Sequence, residues 1–529
     1  MPLGPTPSSQ HAGRTEPVEV DVPLEGLLAQ RATETPERPV LLEGDRRCTY
    51  RDLDRRVADV AAGLAGRGVR PGERVAVLLG SSIDHVVAVF GLWRAGAVWV
   101  PFDPQVADGD LDYRADLTRP AILITDDEGR RRVEASGAPR LGAISVTDLS
   151  SLEAAPTGVV PGATLAGDAV IAFTSGTTGR PKGATITHRA LRVHSMAAAR
   201  HYSAGPDDRI LTMLPLYLLS IFLVGPGLAV ECGGLCRVVA RYSPEEFIRL
   251  AALDRSTMMS AVPLFFSDLL ELPSEDQERI DLSSFRIVTS GGALMPSEIR
   301  AAFESRFGFQ FLNVFGGTEA PGLVSIDPLD GPPRLGSVGR AMPHIHICAI
   351  DDDWRELAPG EIGDLCTQPL DHGPFAGFYE PMRGYWGDPD QTAEVLSGRR
   401  LRWGDVGYVD EDGFVFLVDR AHDGINRGGM NIYPRQIERV AHEIPEVLEV
   451  AVVGRPHHRY GEVPVAFVRP VPGESLAPAR ILDYVNPRVP TYSRLEEVRV
   501  VEDMPRNALG KVLKRELRTR LHDDQRKGS

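Results

Sequence analysis

Short apolar, β-rich runs alternate with helix-like stretches through the first four-fifths of the chain, and this alternation limits the fold most. The runs are Arg74 to Leu79 (RVAVLL), Ala97 to Pro101 (AVWVP), Ala121 to Thr125 (AILIT), Ala169 to Thr174 (AVIAFT) and Phe285 to Ser290 (FRIVTS). Runs this apolar read as strands covered on both faces. Ser81 to Arg94, ending before Gly96, reads as a helix between the first two. The pattern predicts α/β layers around a largely parallel sheet, with ligands at loops beyond the carboxyl ends of strands.

After about residue 400 the texture changes. Asp412-Gly413 lies between alternating apolar flanks within Asp405 to Asp419, which predicts a hairpin. Ile437 to Ile444, Val447 to Val453, Val463 to Val468 and Ala479 to Val485 then predict a small α+β unit. The expected fold is a large multi-subdomain α/β N-terminal domain with a small mobile α+β C-terminal domain. The expected parts are a flexible tail over 1–20, the large domain over 21–420 and the small one over 421–529.

A length of 529 residues fits two or more domains, and 43% hydrophobic with 25% charged residues excludes chain-wide disorder. The net charge of −15, without a long basic block, argues against nucleic-acid binding. Five cysteines, an odd count without metal-ligand spacing, predict reduced thiols and a cytoplasmic location. Met1 to Val20 has no apolar core of the kind a signal peptide needs. Leu211 to Val230 carries no charge, yet Pro215, Gly225, Pro226 and Gly227 break it, so a buried loop and short helix are expected there, not a membrane span.

The strongest chemical signal is Thr174-Ser-Gly-Thr-Thr-Gly-Arg-Pro-Lys-Gly183, directly after a predicted strand. Its glycines (Gly176 and Gly179 among them) let backbone N–H groups converge on one anion. The hydroxyls of Thr174, Ser175, Thr177 and Thr178 add donors, and Lys182 adds a full charge. A Walker A loop needs Lys followed by Ser or Thr, so this is a different phosphate loop.

This loop resembles the signature of the adenylate-forming superfamily, which includes acyl- and aryl-CoA ligases, peptide-synthetase adenylation domains and luciferase. Asn313-Val-Phe-Gly-Gly-Thr-Glu-Ala320, Gly384-Tyr385, Gly404-Asp405, Val418-Asp-Arg420, Ile425 to Pro434 and Pro505 to Lys511 carry the same resemblance, in order and spacing, over roughly residues 25 to 518. The chain looks most like a free-standing bacterial acyl-CoA ligase.

The resemblance implies two steps. A carboxylate attacks the α-phosphate of Mg-ATP to give an acyl-adenylate and pyrophosphate; the small domain then rotates, and the thiol of coenzyme A displaces AMP. It implies that Glu319 holds Mg2+ and that Thr318 donates to the α-phosphate. Phe315 would stack on adenine opposite Gly292 and Ala293. Asp405 would accept from the ribose hydroxyls, with Arg420 beside it. Lys511, by position alone a tail lysine, would neutralise carboxylate and α-phosphate together. Gly428 and Gly429 would line the pantetheine tunnel, and Cys232 and Cys236 read as buried apolar residues. The acid pocket is expected around Tyr217, Leu218, Leu219, Gly291, Val314 and Gly316. Its apolar character favours a hydrophobic acid over an amino acid.

Three positions depart from the family pattern. Leu218 replaces a frequent His, Trp403 replaces the Thr of a Thr-Gly-Asp triplet, and the hinge position is His422. They leave a second possibility, an enzyme working mainly on an acyl-adenylate supplied by a separate adenylating enzyme. Eighteen residues follow Lys511, too few for a fused carrier domain, so coenzyme A is the expected acceptor and a separate carrier protein the alternative. A weakly catalytic nucleotide- or CoA-binding protein and a luciferase-like oxygen-using enzyme are the competing classes of function.

Overall fold

The structure, a computed structural model, describes residues 19–154, 162–174, 181–292, 295, 297–420, 425–427, 430–432, 434–457, 460–506 and 512–527. Two sheets build the larger part. The first has seven strands among the described residues, in the order Gly384–Tyr385, Lys182–Thr187, Asp168–Thr174, Val98–Pro101, Arg74–Leu78, Ile122–Thr125 and Ser145–Thr147. The last five run parallel, and the first two are added antiparallel. Val98–Pro101 and Ile122–Thr125 are buried at every position, as apolar runs covered on both faces must be.

The helix Ile83–Arg94 opens where the Ser82 side chain accepts from the His85 N–H. It stops at Gly96, whose φ of +72° suits glycine. Trp93 Nε1 donates to the Ala169 carbonyl at 2.8 Å, tying this helix to the strand that leads into the phosphate loop.

The second sheet joins a parallel half to an antiparallel half. Pro39–Glu43, Leu235–Val238, Arg209–Thr212, Met258–Ala261, Ile287–Ser290 and Leu312–Gly317 run parallel, in that spatial order. From Leu312–Gly317 the pairing turns antiparallel, through Gly322–Ile326, Ser337–Ala341, Phe414–Arg420 and Arg400–Val409. One core cluster runs between both sheets and includes Val77, Trp99, Phe222, Leu323 and Val415.

The expected hairpin forms with its turn at Asp412-Gly413, where Gly413 has a φ of +81°. Leu211–Val230 is divided as its prolines and glycines require. A strand is followed by the short helix Leu219–Phe222, an irregular turn at Leu223–Gly227 and the short helix Leu228–Cys232. Among the described residues no helix is long and apolar enough to cross a membrane.

A third sheet, built from Ile425–Arg427, Met430–Ile432, Val447–His457, Gly461–Pro470 and Glu497–Val500, has its own core around Ile437, Val452, Ala466 and Ile481. Leu517 and Leu521 of the last helix pack on Val453 and Phe467.

Candidate active site

The phosphate-loop motif joins two paired strands. Thr174 stands opposite Lys182 and Phe173 opposite Gly183, so the strands on either side of the motif pair antiparallel. Ser175, Gly176, Thr177, Thr178 and Gly179 lie outside the described residues. A Cβ at Gly183 would fall 2.6 Å from Ile171 Cγ2, which fixes glycine there.

The Lys182 ammonium lies 5.0 Å from the centre of the Tyr385 ring and contacts the Gln391 side-chain oxygen. Tyr385 reaches this place because the two-residue strand Gly384–Tyr385 pairs with Ala184 and Thr185. Its hydroxyl donates to Glu319 Oε1 at 3.1 Å. Burial first, and the Glu319 carboxylate second, push the Tyr385 phenol well above its usual range, so it remains a donor.

Glu319 follows Thr318 at the tip of the hairpin formed by Leu312–Gly317 and Gly322–Ile326. This is where the large sheet changes from parallel to antiparallel pairing. Ser290 pairs with Asn313, which brings Gly291 and Gly292 beside Val314 and Phe315 at the carboxyl ends of their strands. A Cβ at Gly291 would meet Val314 Cγ2 at 2.6 Å, and Gly292 has a φ of +79°. Gly316 packs directly against the Gly322 carbonyl, leaving no room for a side chain. Ala293 lies outside the described residues.

Trp403 has a definite place. Its ring centre is 5.1 Å from that of Phe315, tilted by 49°, and it lies close enough to Gly317 that a Cβ there would be 2.8 Å away. Trp403 Nε1 donates to Thr367 Oγ1 at 3.1 Å, and Thr367 shares a 2.7 Å hydrogen bond with the Tyr379 hydroxyl. The indole thus braces the flank of Phe315. Trp403→Thr should destabilise the fold by about 2 kcal/mol, less than the loss of a fully buried ring because the indole is only partly covered. Urea unfolding reads this as a lower midpoint at unchanged m; an unmoved midpoint would count against the brace.

Two residues on, Asp405 is 5% exposed, follows Gly404 at a φ of +66°, and stands opposite Arg420 in the strand register. Tyr217 and Leu219 are buried, whereas Leu218 is half-buried against the main core. Burial, then the nearby Asp103 carboxylate, keep the Tyr217 phenol neutral. Cys232 and Cys236 are buried, and burial pushes both thiols up to about 12, as fits packing residues. Lys511, His422, Gly428 and Gly429 lie outside the described residues.

Sequence reasoning missed a buried polar group behind the motif hairpin. His194 of the helix His188–His201 and His344 are 1% and 3% exposed, with ring centres 5.8 Å apart. Both nitrogens of His194, and Nδ1 of His344, find no hydrogen-bond partner among the described residues. A buried polar group left so costs roughly 1–3 kcal/mol. No periodicity distinguishes such a histidine from a satisfied core residue.

Burial lowers the His194 imidazole to about 4 and holds His344 well below its ordinary value. Both are therefore neutral in the fold near pH 7. Below about pH 6.5 the unfolded chain takes up protons that the folded His194 refuses until about pH 4. Its contribution to stability is present above pH 6.5 and is lost across that window, on the order of 3 kcal/mol for the single group. His194→Gln should flatten the fall of unfolding free energy between pH 6.5 and 4, and an identical slope would contradict this.

The chain belongs to the AMP-binding enzyme family, whose model matches residues 28–386, while the AMP-binding enzyme C-terminal domain matches residues 436–511. Within it the chain is an adenylate-forming acid–thiol ligase of the acyl-CoA synthetase kind, similar to enzymes named as CoA ligases. It is 31% identical over 499 residues to a feruloyl-CoA synthase of an Amycolatopsis species, covering 93% of this chain and 98% of the relative. ATP-bound MatB from Rhodopseudomonas palustris superposes with a TM-score of 0.84 at 28% identity, covering 94% of this chain and 99% of that one. The o-succinylbenzoate CoA synthetase of Bacillus subtilis, in complex with its acyl-adenylate intermediate, gives 0.80 at 26% identity, covering 94% and 98%.

Proposed function

We propose that the chain converts a hydrophobic carboxylic acid to its CoA thioester through an acyl-adenylate, with ATP giving AMP and pyrophosphate. The observation that carries this is one continuous run of contacts. Lys182 reaches Tyr385, Tyr385 reaches Glu319, Glu319 adjoins Gly317, Trp403 packs against Gly317, and Phe315 packs on Trp403. A phosphate-loop cation, a carboxylate and an aromatic wall are thereby held around one hairpin, with Asp405 two residues from Trp403.

In this reading the phosphate loop and Lys182 hold the phosphates, and Thr318 donates to the α-phosphate. Phe315 faces the adenine, and Asp405 accepts from the ribose. Glu319 suits Mg2+, a hard cation that prefers carboxylate oxygen. Lys511 comes from the small domain, 421–529, whose rotation about His422 exchanges the adenylation arrangement for one in which Gly428 and Gly429 admit pantetheine. The carboxylate oxygen bonds to the α-phosphorus as pyrophosphate leaves; the thiol then bonds to the carbonyl carbon as AMP leaves.

Leu218, Val314 and Phe315 all pack against the main core, which supports an apolar acid. The ATP-bound and acyl-adenylate-bound likenesses support the nucleotide chemistry. Coenzyme A is the proposed acceptor and the cytoplasm the proposed location. A second reading, thioester formation from a supplied adenylate, draws on Trp403 beside Phe315.

The two separate in one experiment. A panel of hydrophobic acids is offered either as free acid with Mg-ATP or as the synthetic adenylate, with coenzyme A in both arms, and acyl-CoA is read by mass. Product in both arms is expected. Product from adenylates alone would replace the first reading by the second, and product in neither would remove both.

A further inference from the structure

The unpartnered Nε2 of His194 lies against the hairpin that carries Thr318 and Glu319, and the His344 ring lies beside His194. A Cβ at Gly322, which has a φ of +99°, would collide with His194 Nε2, so the imidazole rests directly on this strand. Gly322 stands opposite Gly317 in the register, and Leu323 opposite Gly316. On the same helix, Ser195 Oγ is also buried without a partner among the described residues. A Cβ at Gly227, which ends the irregular turn Leu223–Gly227, would be 3.8 Å from that hydroxyl.

A control lies within the same core. His85 is equally buried, yet its Nδ1 is 3.1 Å from the Leu79 carbonyl oxygen. One nitrogen of His85 is tied to the backbone in this way, as buried polar atoms as a rule are, and only its Nε2 is left without a partner among the described residues. His194 differs in that both of its nitrogens lack a partner among the described residues, and His344 has its own unpartnered Nδ1 beside it.

We propose that His194, with His344 behind it, recognises an uncharged hydroxyl on the end of the acid remote from its carboxylate. This rests on the acid-activating reading given above. One imidazole nitrogen accepts from the hydroxyl, or the other donates to it, so the group satisfies atoms that are otherwise orphaned. Burial keeps His194 neutral down to about pH 4, and the buried guanidinium on the same helix, Arg192, is committed to Glu231. A second carboxylate would therefore meet neutral imidazoles in place of a cation, at the cost of burying an uncompensated charge.

The test uses non-hydrolysable N-acyl sulfamoyl adenosines of matched aryl acids, with and without a para-hydroxyl, in the benzoic and cinnamic series. Affinity is measured by calorimetry on the full chain, and thermal unfolding confirms that each variant is folded. The wild type should bind the hydroxylated member of at least one pair ~10-fold or more tightly, because a site built around a hydroxyl leaves polar atoms unpaired without it. His194→Phe should bring that ratio below ~3 mainly by weakening the hydroxylated analogue, and His194→Gln should restore part of it.

Equal affinities within every pair for the wild type, or a ratio unchanged in His194→Phe, would overturn the assignment. Should His194→Phe fail to fold, the wild-type ratio and His194→Gln still decide it. Binding of no analogue at all would instead bring down the acid-activating reading, and this proposal with it.

Discussion

Lys511→Ala should lower ATP-dependent thioester formation by at least ~10²-fold, the scale of losing one donor to a transition state. It should leave thioester formation from a ready-made adenylate nearly unchanged. The asymmetry follows from where charge develops. As the carboxylate approaches the α-phosphate, two anionic groups are forced together, and an ammonium between them is worth most at that moment. In the thiol step the acyl group is already activated and that repulsion is gone. Arg506 and Val512 form an antiparallel bridge, and Lys514 makes a 2.8 Å ion pair with Glu438; Lys511 itself lies outside the described residues. Both half-reactions are measured on the same preparation with one acid. Equal losses in the two would contradict the role given to Lys511.

Glu319→Gln is the second large effect expected: adenylation should fall by ~10²-fold and the Mg2+ dependence should move to higher concentration. The amide oxygen of the variant can still accept from the Tyr385 hydroxyl, so the change removes charge while keeping the shape and the hydrogen bond. Tyr385→Phe removes only that hydrogen bond, so its effect should be smaller, within ~10-fold. Pyrophosphate exchange across a Mg2+ series reads both variants. A Glu319→Gln enzyme with wild-type exchange and an unmoved Mg2+ dependence would show that the carboxylate serves the hairpin and not the metal.

Much of the fold was legible because its central strands are covered on both faces. Arg74–Leu78, Val98–Pro101, Ile122–Thr125 and Asp168–Thr174 form within a residue or so of the apolar runs that announce them. Lys182–Thr187 was not anticipated: its sequence, KGATIT, is half polar, and it becomes a strand by pairing with Asp168–Thr174. Gly384–Tyr385 is two residues long, below any periodicity, although it sets the tyrosine between Lys182 and Glu319.

The site divides in the same way. Motifs continuous in sequence, such as Asn313 to Ala320, were readable in advance. Partners made only by tertiary packing were not. Trp403 could be seen to depart from the expected triplet, but its contacts with Phe315, Gly317 and Thr367 come from strands brought together by long-range pairing. His194 was invisible for a related reason, since helical spacing reports a face and not whether a buried nitrogen finds a partner.

The most direct test of the central claim follows oxygen. An accepted acid is prepared with heavy oxygen in its carboxylate and converted to the thioester with Mg-ATP and coenzyme A, and the nucleotide product is examined by mass. Transfer through an acyl-adenylate predicts AMP carrying one heavy oxygen, because the attacking carboxylate oxygen stays on phosphorus when the thiol takes the acyl group. Unlabelled AMP, or ADP with labelled phosphate, would contradict that path.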